Sequence, residues 1–214
     1  KGVRSVRPGC YLEIDSKDEP RTTVYYDVLD DLDQDYYRDL DGQPTARVLS
    51  TFESMFAESV DGMLISDAPV GAFVSGGIDS SLISSFAARS KTDIRLFTAN
   101  VVGKYSEFSD VELLSKYLKK EIFEYKFEPQ MMLRDWVDVT YFYDSPIVIH
   151  VNSIPFSGVA RLARDSGVKA VLTGEGADEL FLGYPSLLTR RYESIASFPV
   201  KAVKSLYKIS PKLY

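Results

Sequence analysis

The sequence has 214 residues, enough for one full hydrophobic core with additional segments, and its 45% hydrophobic and 26% charged residues are ordinary for a globular protein. A net charge of −6 argues against nucleic acid as the main partner. The single Cys10 excludes an internal disulfide, and no apolar run approaches the roughly 18 residues of a membrane span, so we expect a cytoplasmic protein without a membrane partner.

The first 44 residues predict a small β segment followed by a linker. Residues 3–14 predict two strands joined by a turn at Pro8–Gly9, and residues 22–26 are a candidate for a further strand. Seven aspartates follow between positions 27 and 41. No metal-ligand spacing recurs among them, so we expect residues 27–44 to form a solvated acidic linker at a domain boundary.

The remainder, residues 45–214, predicts an α/β domain. Residues 45–65 carry apolar side chains at helical spacing, with Thr45 as the expected cap after Pro44, and this apolar face is expected to pack in the core. Strands are then predicted over 70–74, 94–101, 122–127 and 168–172, and helices over 79–89, 108–119, 131–143 and 156–164. Strands that alternate with helices favour a doubly wound parallel sheet, whose ligands bind outside the carboxyl ends of the strands.

A phosphate site is predicted where the first of these strands ends, in Ser75-Gly-Gly-Ile-Asp-Ser80. The two glycines let the backbone approach a ligand, and the N–H groups that open the following helix attract anions. Gly71 and Gly76 have Walker spacing, but Gly77 and Ile78 stand where Lys and Ser/Thr should follow, so that type of loop is excluded.

A second glycine-rich loop follows the last strand and carries Glu175, Asp178 and Glu179. Three carboxylates beside a triphosphate are unfavourable unless a divalent cation intervenes. We expect Asp178 to share Mg²⁺ with Asp79, because Mg²⁺ prefers one or two carboxylates plus phosphate oxygens. The alternative is that Asp178 caps a helix that starts near Glu179, which is itself expected to be structural.

Together these stretches carry a family resemblance. Residues 67–81 and 167–184 resemble the synthetase domain of glutamine-dependent asparagine synthetases, and residues 6–12 look like the last hairpin of their glutaminase domain. The resemblance implies an ATP pyrophosphatase fold of the adenine nucleotide α-hydrolase-like type, with residues 1–26 as a remnant of the glutaminase domain. It also implies that ATP and Mg²⁺ convert a carboxylate, aspartate in the parent enzymes, to an acyl-AMP, from which ammonia displaces AMP.

The resemblance also implies roles for individual residues. Pyrophosphate and Mg²⁺ would be bound by residues of the first loop, namely Ser75, Gly76, Gly77, Asp79 and Ser80. Adenosine would contact the residues at three strand ends, which are Val74, Ala99, Thr173 and Gly174. Glu175 would be the catalytic residue, either orienting the acyl-adenylate or managing protons during amination.

The sequence departs from the family pattern in several places. The glutaminase nucleophile, an N-terminal cysteine, is absent and Cys10 is no substitute, so ammonia would come from a glutaminase domain that is not in this chain. Residues 144–155 match the substrate-side segment only in outline, and His150 within them is expected to be a loop residue. The small-molecule acceptor therefore stays open between aspartate, a β-lactam precursor, a peptide and a sugar acid; a non-catalytic nucleotide-binding fragment and a homodimer also stay open.

Both ends are expected to be cut from a longer protein. Lys1 stands where an initiator Met is expected, and residues 190–214 carry six Lys or Arg against one acid. A nucleic-acid-binding arm is one explanation of that basic segment. We expect instead helices whose packing partners lie beyond residue 214, which would leave the synthetase domain incomplete at its C-terminus.

Overall fold

The computed structural model describes residues 4–15, 20–30, 32–103, 106–144 and 152–184. The chain divides into two compact units, residues 1–56 and residues 57–214. The predictions for His150 and for the basic segment 190–214 lie outside the described residues. Within the described part, no helix is both long enough and apolar enough to cross a membrane.

The first unit contains a β-hairpin that differs from the predicted one. Strands β1 (Cys10–Glu13) and β2 (Arg21–Val24) pair antiparallel, with Cys10 opposite Val24. The Gly9 carbonyl accepts the backbone N–H groups of Tyr25 (2.9 Å) and Tyr26 (3.2 Å). The Pro8–Gly9 turn therefore leads into the hairpin instead of joining its strands, and the predicted strand before Pro8 is wrong for the described residues 4–7.

A short helix lies inside the stretch that was expected to be a linker. Helix α1 (Gln34–Asp41) is capped by Asp33, whose carboxylate accepts from the backbone N–H groups of Asp35 (2.9 Å) and Tyr36 (3.0 Å). None of its residues is buried. The sequence pattern indicates only solvated charge for these aspartates, whereas one of them acts as a helix cap. The domain boundary itself stays a prediction.

Helix α2 (Thr45–Met63) confirms the predicted helix but not its burial. Only Val60 is buried along its length, and Leu49, Met55 and Met63 are more than 60% exposed. The Pro44 carbonyl accepts the backbone N–H groups of Arg47 (2.9 Å) and Val48 (3.2 Å), and the helix begins at Thr45, so Thr45 is its first residue and not the cap. Apolar periodicity identifies a face that can be buried, but it does not show that a partner surface is present.

The remaining elements confirm the predicted alternation of strands and helices. In chain order they are β3 (Val70–Phe73), α3 (Ile78–Ser90), β4 (Arg95–Val101), α4 (Phe108–Leu118), β5 (Ile122–Phe127), α5 (Met132–Tyr143), α6 (Ser153–Asp165), β6 (Ala170–Leu172) and α7 (Ala177–Phe181). Helix α6 begins three residues before the predicted start, and β6 begins two residues later than predicted.

The four strands β3 to β6 form one parallel sheet in the order β5-β4-β3-β6. All four residues of β3 are buried, and α6 packs its Val159 and Ala163 on Phe73 and Phe97. Ala72 on the opposite face is fully buried as well, which confirms the doubly wound α/β class. The chain moves from β3 outward to β5 and returns to β6 on the other side of β3, so the loops after β3 and β6 are neighbours.

A buried ionic group ties α5 to the sheet. Asp135 is fully buried and accepts hydrogen bonds from the Tyr125 hydroxyl (3.0 Å) and from Arg134 Nε (2.6 Å). The hydrogen bond from Arg134 holds the pKa of the Asp135 carboxyl below its usual value. The pKa of the Tyr125 hydroxyl is raised, mainly by burial and then by its hydrogen bond to the Asp135 carboxylate. A Cβ on Gly158 of α6 would overlap the Tyr125 ring, so the glycine permits close packing of helix and strand.

Candidate functional site

The loop between β3 and α3 is closed by hydrogen bonds among its own residues. Ser80 Oγ donates to the Gly77 carbonyl (3.2 Å) and accepts from the Ser75 backbone N–H (3.1 Å). The two hydroxyl oxygens of Ser75 and Ser80 lie 2.9 Å apart, and Ser75 Oγ also accepts from the Gly77 N–H (3.3 Å). The hydroxyls thus shape the loop, while Gly77 at the helix N-cap has no side chain to occupy the N–H groups of the first turn.

Gly76 is required by its conformation and by its surroundings. Its φ of +87° is one that residues with a side chain rarely adopt. A Cβ at this position would lie 3.0 Å from the Glu107 carbonyl oxygen and 3.1 Å from Asp110 Cβ. The start of α4 therefore packs directly on the first glycine-rich loop.

The two glycine-rich loops meet at Gly174. A Cβ on Gly174 would lie 3.1 Å from both Asp79 Cβ and the Ser80 backbone nitrogen. Distances of this size are tighter than ordinary van der Waals contact. The loop after β6 thus contacts the start of α3, as the neighbouring positions of β3 and β6 lead one to expect.

A cavity of about 450 Å³ opens at the carboxyl edge of the sheet, where these loops meet. Every residue predicted for the site lines it except Gly76, which lies against α4: the lining includes Val74, Ser75, Gly77, Asp79, Ser80, Ala99, Thr173, Gly174, Glu175 and Asp178. The structure therefore brings residues from three strand ends and two loops around one space. Their roles in binding stay predictions.

The start of helix α7 rules out the alternative that Asp178 caps a helix. The helix begins at Ala177 with Gly176 (φ +93°) as its N-cap, so Asp178 lies inside the first turn and capping is the wrong explanation. The Asp178 carbonyl accepts the Gly183 N–H (2.9 Å), and a Cβ on Gly183 would overlap the Asp178 carboxylate. A glycine at position 183 thus leaves room for that carboxylate at the cavity.

The charge lining the cavity is entirely negative within the described residues. No described Lys or Arg lines it, whereas five carboxylates do: Asp79, Glu107, Glu175, Asp178 and Glu179. The pKa of the neighbouring Tyr184 hydroxyl is raised, and the negative charge of Glu179 is the largest cause. A polyphosphate would need cations to enter such a site, and two carboxylates that line the same cavity, Asp79 and Asp178, suit Mg²⁺.

The described residues contain no group of three or more His, Cys, Asp and Glu side chains arranged to hold a metal ion. A cation held by Asp79 and Asp178 would therefore complete its coordination with phosphate oxygens and water.

Several cavity residues were not predicted from the sequence. Asn100 and Ser106 lie at and after the carboxyl end of β4, and Asn152 and Phe156 come from the start of α6. The rule that ligands bind at the carboxyl ends of parallel strands offered a signal for Asn100, which directly follows Ala99. Asn152 and Phe156 lie in or beside a segment that resembled the family only in outline, so no comparable signal marked them.

The fold and the site define an α/β protein with a cavity between two glycine-rich loops. A family model described as asparagine synthase matches residues 51–210, so the chain belongs to the asparagine synthase family. The resemblance found in the sequence is thereby confirmed.

Similar proteins include putative asparagine synthetase [glutamine-hydrolyzing] from Mycobacterium tuberculosis, 29% identical over an alignment of 198 residues that covers 86% of this chain and 28% of the relative. Asparagine synthetase [glutamine-hydrolyzing] 1 from Bacillus subtilis is 34% identical over an alignment of 130 residues that covers 59% of this chain and 20% of the relative. The chain thus spans between a fifth and a little over a quarter of the length of these relatives. Among solved structures, NH3-dependent NAD synthetase from Campylobacter jejuni is similar, with 19% identity, a TM-score of 0.45, and coverage of 63% of this chain and 60% of that one.

Proposed function

We propose that this chain carries the ATP-using half of an amide-forming ligase that works through an acyl-AMP intermediate. One observation carries the proposal: Gly174 packs on Asp79 and Ser80, so both glycine-rich loops face a single cavity. The loop at residues 75–80 offers backbone N–H groups that can bind an anion, and the loop after β6 supplies carboxylates. Membership of the asparagine synthase family supports the same reaction class.

ATP would lie along the carboxyl edge of the sheet. Its β and γ phosphates would be held by the backbone of residues 75–80 and by the first turn of α3, whose N–H groups attract anions. The adenosine would contact the ends of β3, β4 and β6, through Val74, Ala99, Thr173 and Gly174. Asp79 and Asp178 would hold Mg²⁺, which supplies neutralisation of the phosphate charge.

In the proposed reaction an oxygen of the acceptor carboxylate attacks the α-phosphorus of ATP, and pyrophosphate leaves. Ammonia then attacks the acyl carbon, AMP leaves with the bonding electrons, and the amide loses a proton. Glu175 is exposed, lines the cavity and is flanked by Gly174 and Gly176. It would either orient the acyl-adenylate or take that proton, and positioning would supply much of the acceleration.

The acceptor is proposed to be aspartate, with glutamine as the source of ammonia through a glutaminase domain. Carboxylates of other kinds, such as sugar acids, β-lactam precursors and peptides, are the alternatives. The described cavity wall carries no Lys or Arg for the second carboxylate of aspartate, and residues 145–151 of the substrate-side segment lie outside the described residues. The acceptor therefore has to be identified by experiment.

The test is ATP–pyrophosphate exchange by the full-length protein, screened across these carboxylates with Mg²⁺. We expect exchange that depends on one class of carboxylate, with AMP and pyrophosphate as the products. ADP and orthophosphate as the sole products would refute the proposal. Tight ATP binding without exchange on any carboxylate would instead indicate a nucleotide-binding protein without turnover.

A further inference from the structure

A chain of hydrogen bonds surrounds Asn100 at the carboxyl end of β4. Its side-chain nitrogen donates to Glu124 Oε1 on β5 (2.7 Å), and its side-chain oxygen accepts from Ser106 Oγ (2.9 Å). Ser106 Oγ in turn accepts the Phe108 N–H at the start of α4 (3.3 Å). Asn100 is half-buried and lines the cavity, next in sequence to Ala99.

The carboxylate of Glu124 determines which way the Asn100 amide faces. An ionised carboxylate only accepts hydrogen bonds, so the amide nitrogen must face Glu124. Rotating the amide by 180° would place its oxygen against the carboxylate and its nitrogen against the Ser106 hydroxyl. The carboxylate of Glu124 therefore favours one orientation. The Ser106 hydroxyl donates to the amide oxygen in this orientation, but it can also accept a hydrogen bond and does not itself select between the two.

The locked amide keeps part of its hydrogen-bonding capacity for a ligand. A primary amide has two N–H donors and an oxygen with two lone pairs, and the two observed bonds use one of each. One donor and one acceptor remain, in a fixed order. Asn pairs with adenine in bidentate fashion through N6 and N7 in DNA, and the N6 and N1 edge of adenine likewise presents a donor beside an acceptor.

Six-oxopurines present the opposite order on the same edge. Adenine has an N6–H donor beside the N1 acceptor, whereas hypoxanthine and guanine have an O6 acceptor beside an N1–H donor. A freely turning amide satisfies either base, and a locked amide satisfies only one. A site built to hydrogen-bond one pattern binds the other more weakly, because the polar groups that the bound base covers are left unpaired.

We propose that Asn100 reads the purine base of the bound nucleotide and that Glu124 is the positioning residue that makes the site select adenine over 6-oxopurines. The inference rests on the proposed function, since it requires a nucleotide whose base reaches the end of β4. It adds a base-reading side chain to the contacts expected from Val74, Ala99, Thr173 and Gly174.

The test compares the dissociation constants of ATP and inosine triphosphate, with Mg²⁺, by calorimetry on the full-length protein. Wild type is expected to bind ATP about tenfold more tightly, the effect of one or two mismatched hydrogen bonds. Glu124→Gln lets the Asn100 amide turn, because a neutral amide can donate or accept, so the ratio is expected to fall to within about twofold of one. Ser106→Ala is the matched control: it removes the loop-side bond but keeps the carboxylate, so the ratio is expected to stay near the wild-type value.

A purely structural role for this chain of bonds predicts another result. In that case Glu124→Gln would weaken the binding of ATP and of inosine triphosphate by the same factor. The ratio of the two dissociation constants would then stay at the wild-type value, which would overturn the inference. If Glu124→Gln does not fold, Asn100→Ala serves in its place, with a ratio near one expected and an unchanged ratio counting against base reading. An unaltered protein that binds no ATP would refute the proposed function itself, so the two failures are distinguishable.

Discussion

Replacing Gly174 with alanine tests whether the contact between the two loops shapes a nucleotide site. The added Cβ would lie 3.1 Å from Asp79 Cβ and from the Ser80 nitrogen, so one of the loops must move by a few tenths of an ångström. Gly174 does not have a positive φ, so the backbone itself accepts alanine. Overpacking of this kind costs about 1–3 kcal/mol, offset in part by about 0.4–1 kcal/mol from the stiffer unfolded chain.

We predict a net loss of about 0–2.6 kcal/mol in the free energy of unfolding. The loss of ATP affinity should be larger, about tenfold or more, because Asp79 and the first turn of α3 are displaced where phosphate is proposed to bind. Chemical denaturation measures the stability, and calorimetry with Mg²⁺ measures the affinity.

Gly62→Ala is the matched control. Gly62 lies in helix α2, and nothing is within 4 Å of the Cβ that alanine would add. Alanine there should stabilise the protein by about 0.5–1 kcal/mol and leave the dissociation constant for ATP unchanged. If Gly174→Ala also keeps wild-type ATP affinity, the meeting of the two loops does not shape a nucleotide site.

Three further predictions follow from single side chains. Asp135→Asn should lower the free energy of unfolding by about 1–3 kcal/mol, the value of hydrogen bonds to charged groups. The pKa of Asp135 is lowered in the folded protein, so its contribution to stability is present above the ordinary aspartate range. That contribution is lost as the pH falls through the lowered pKa. Denaturation of both proteins across that range should show their stabilities converging in acid, and a gap that widens in acid would contradict this. Glu175→Gln should lower carboxylate-dependent pyrophosphate exchange by about 10²–10⁴ with little change in ATP affinity, whereas near-wild-type exchange by a stable variant would remove Glu175 from the catalysis. Asp79→Asn should weaken ATP binding with Mg²⁺ but not without it, at nearly unchanged melting temperature, and equal weakening in both conditions would argue against a metal ligand.

The parallel core was predictable because its signals are local. Residues 122–127 alternate in a strand pattern and form β5 with the same bounds. The strands at 70–74 and 94–101 differ from β3 and β4 by one residue at one end each. Buried strands followed by glycines and helix N-termini also predicted which edge of the sheet would carry the cavity.

Features that depend on pairing were not predictable in the same way. Residues 22–26 are predicted as a candidate strand, and most of them form β2 (Arg21–Val24). The error concerns pairing: β1 pairs with β2 and not with the segment before Pro8, which a local pattern does not reveal. The exposed apolar face of α2 shows that periodicity reports capacity for burial and not its occurrence. Asn100 was missed because its orientation depends on Glu124 of the adjacent strand, which only the register of β4 and β5 reveals.

Phosphorus NMR of the products formed from ATP by the full-length protein tests the central claim most directly. The protein would be incubated with Mg²⁺, ammonia and the carboxylate that supports exchange. Cleavage between the α and β phosphates predicts AMP and pyrophosphate in equal amounts, with one amide formed for each AMP. ADP and orthophosphate in their place would contradict the assignment of residues 75–80 as the loop that holds departing pyrophosphate.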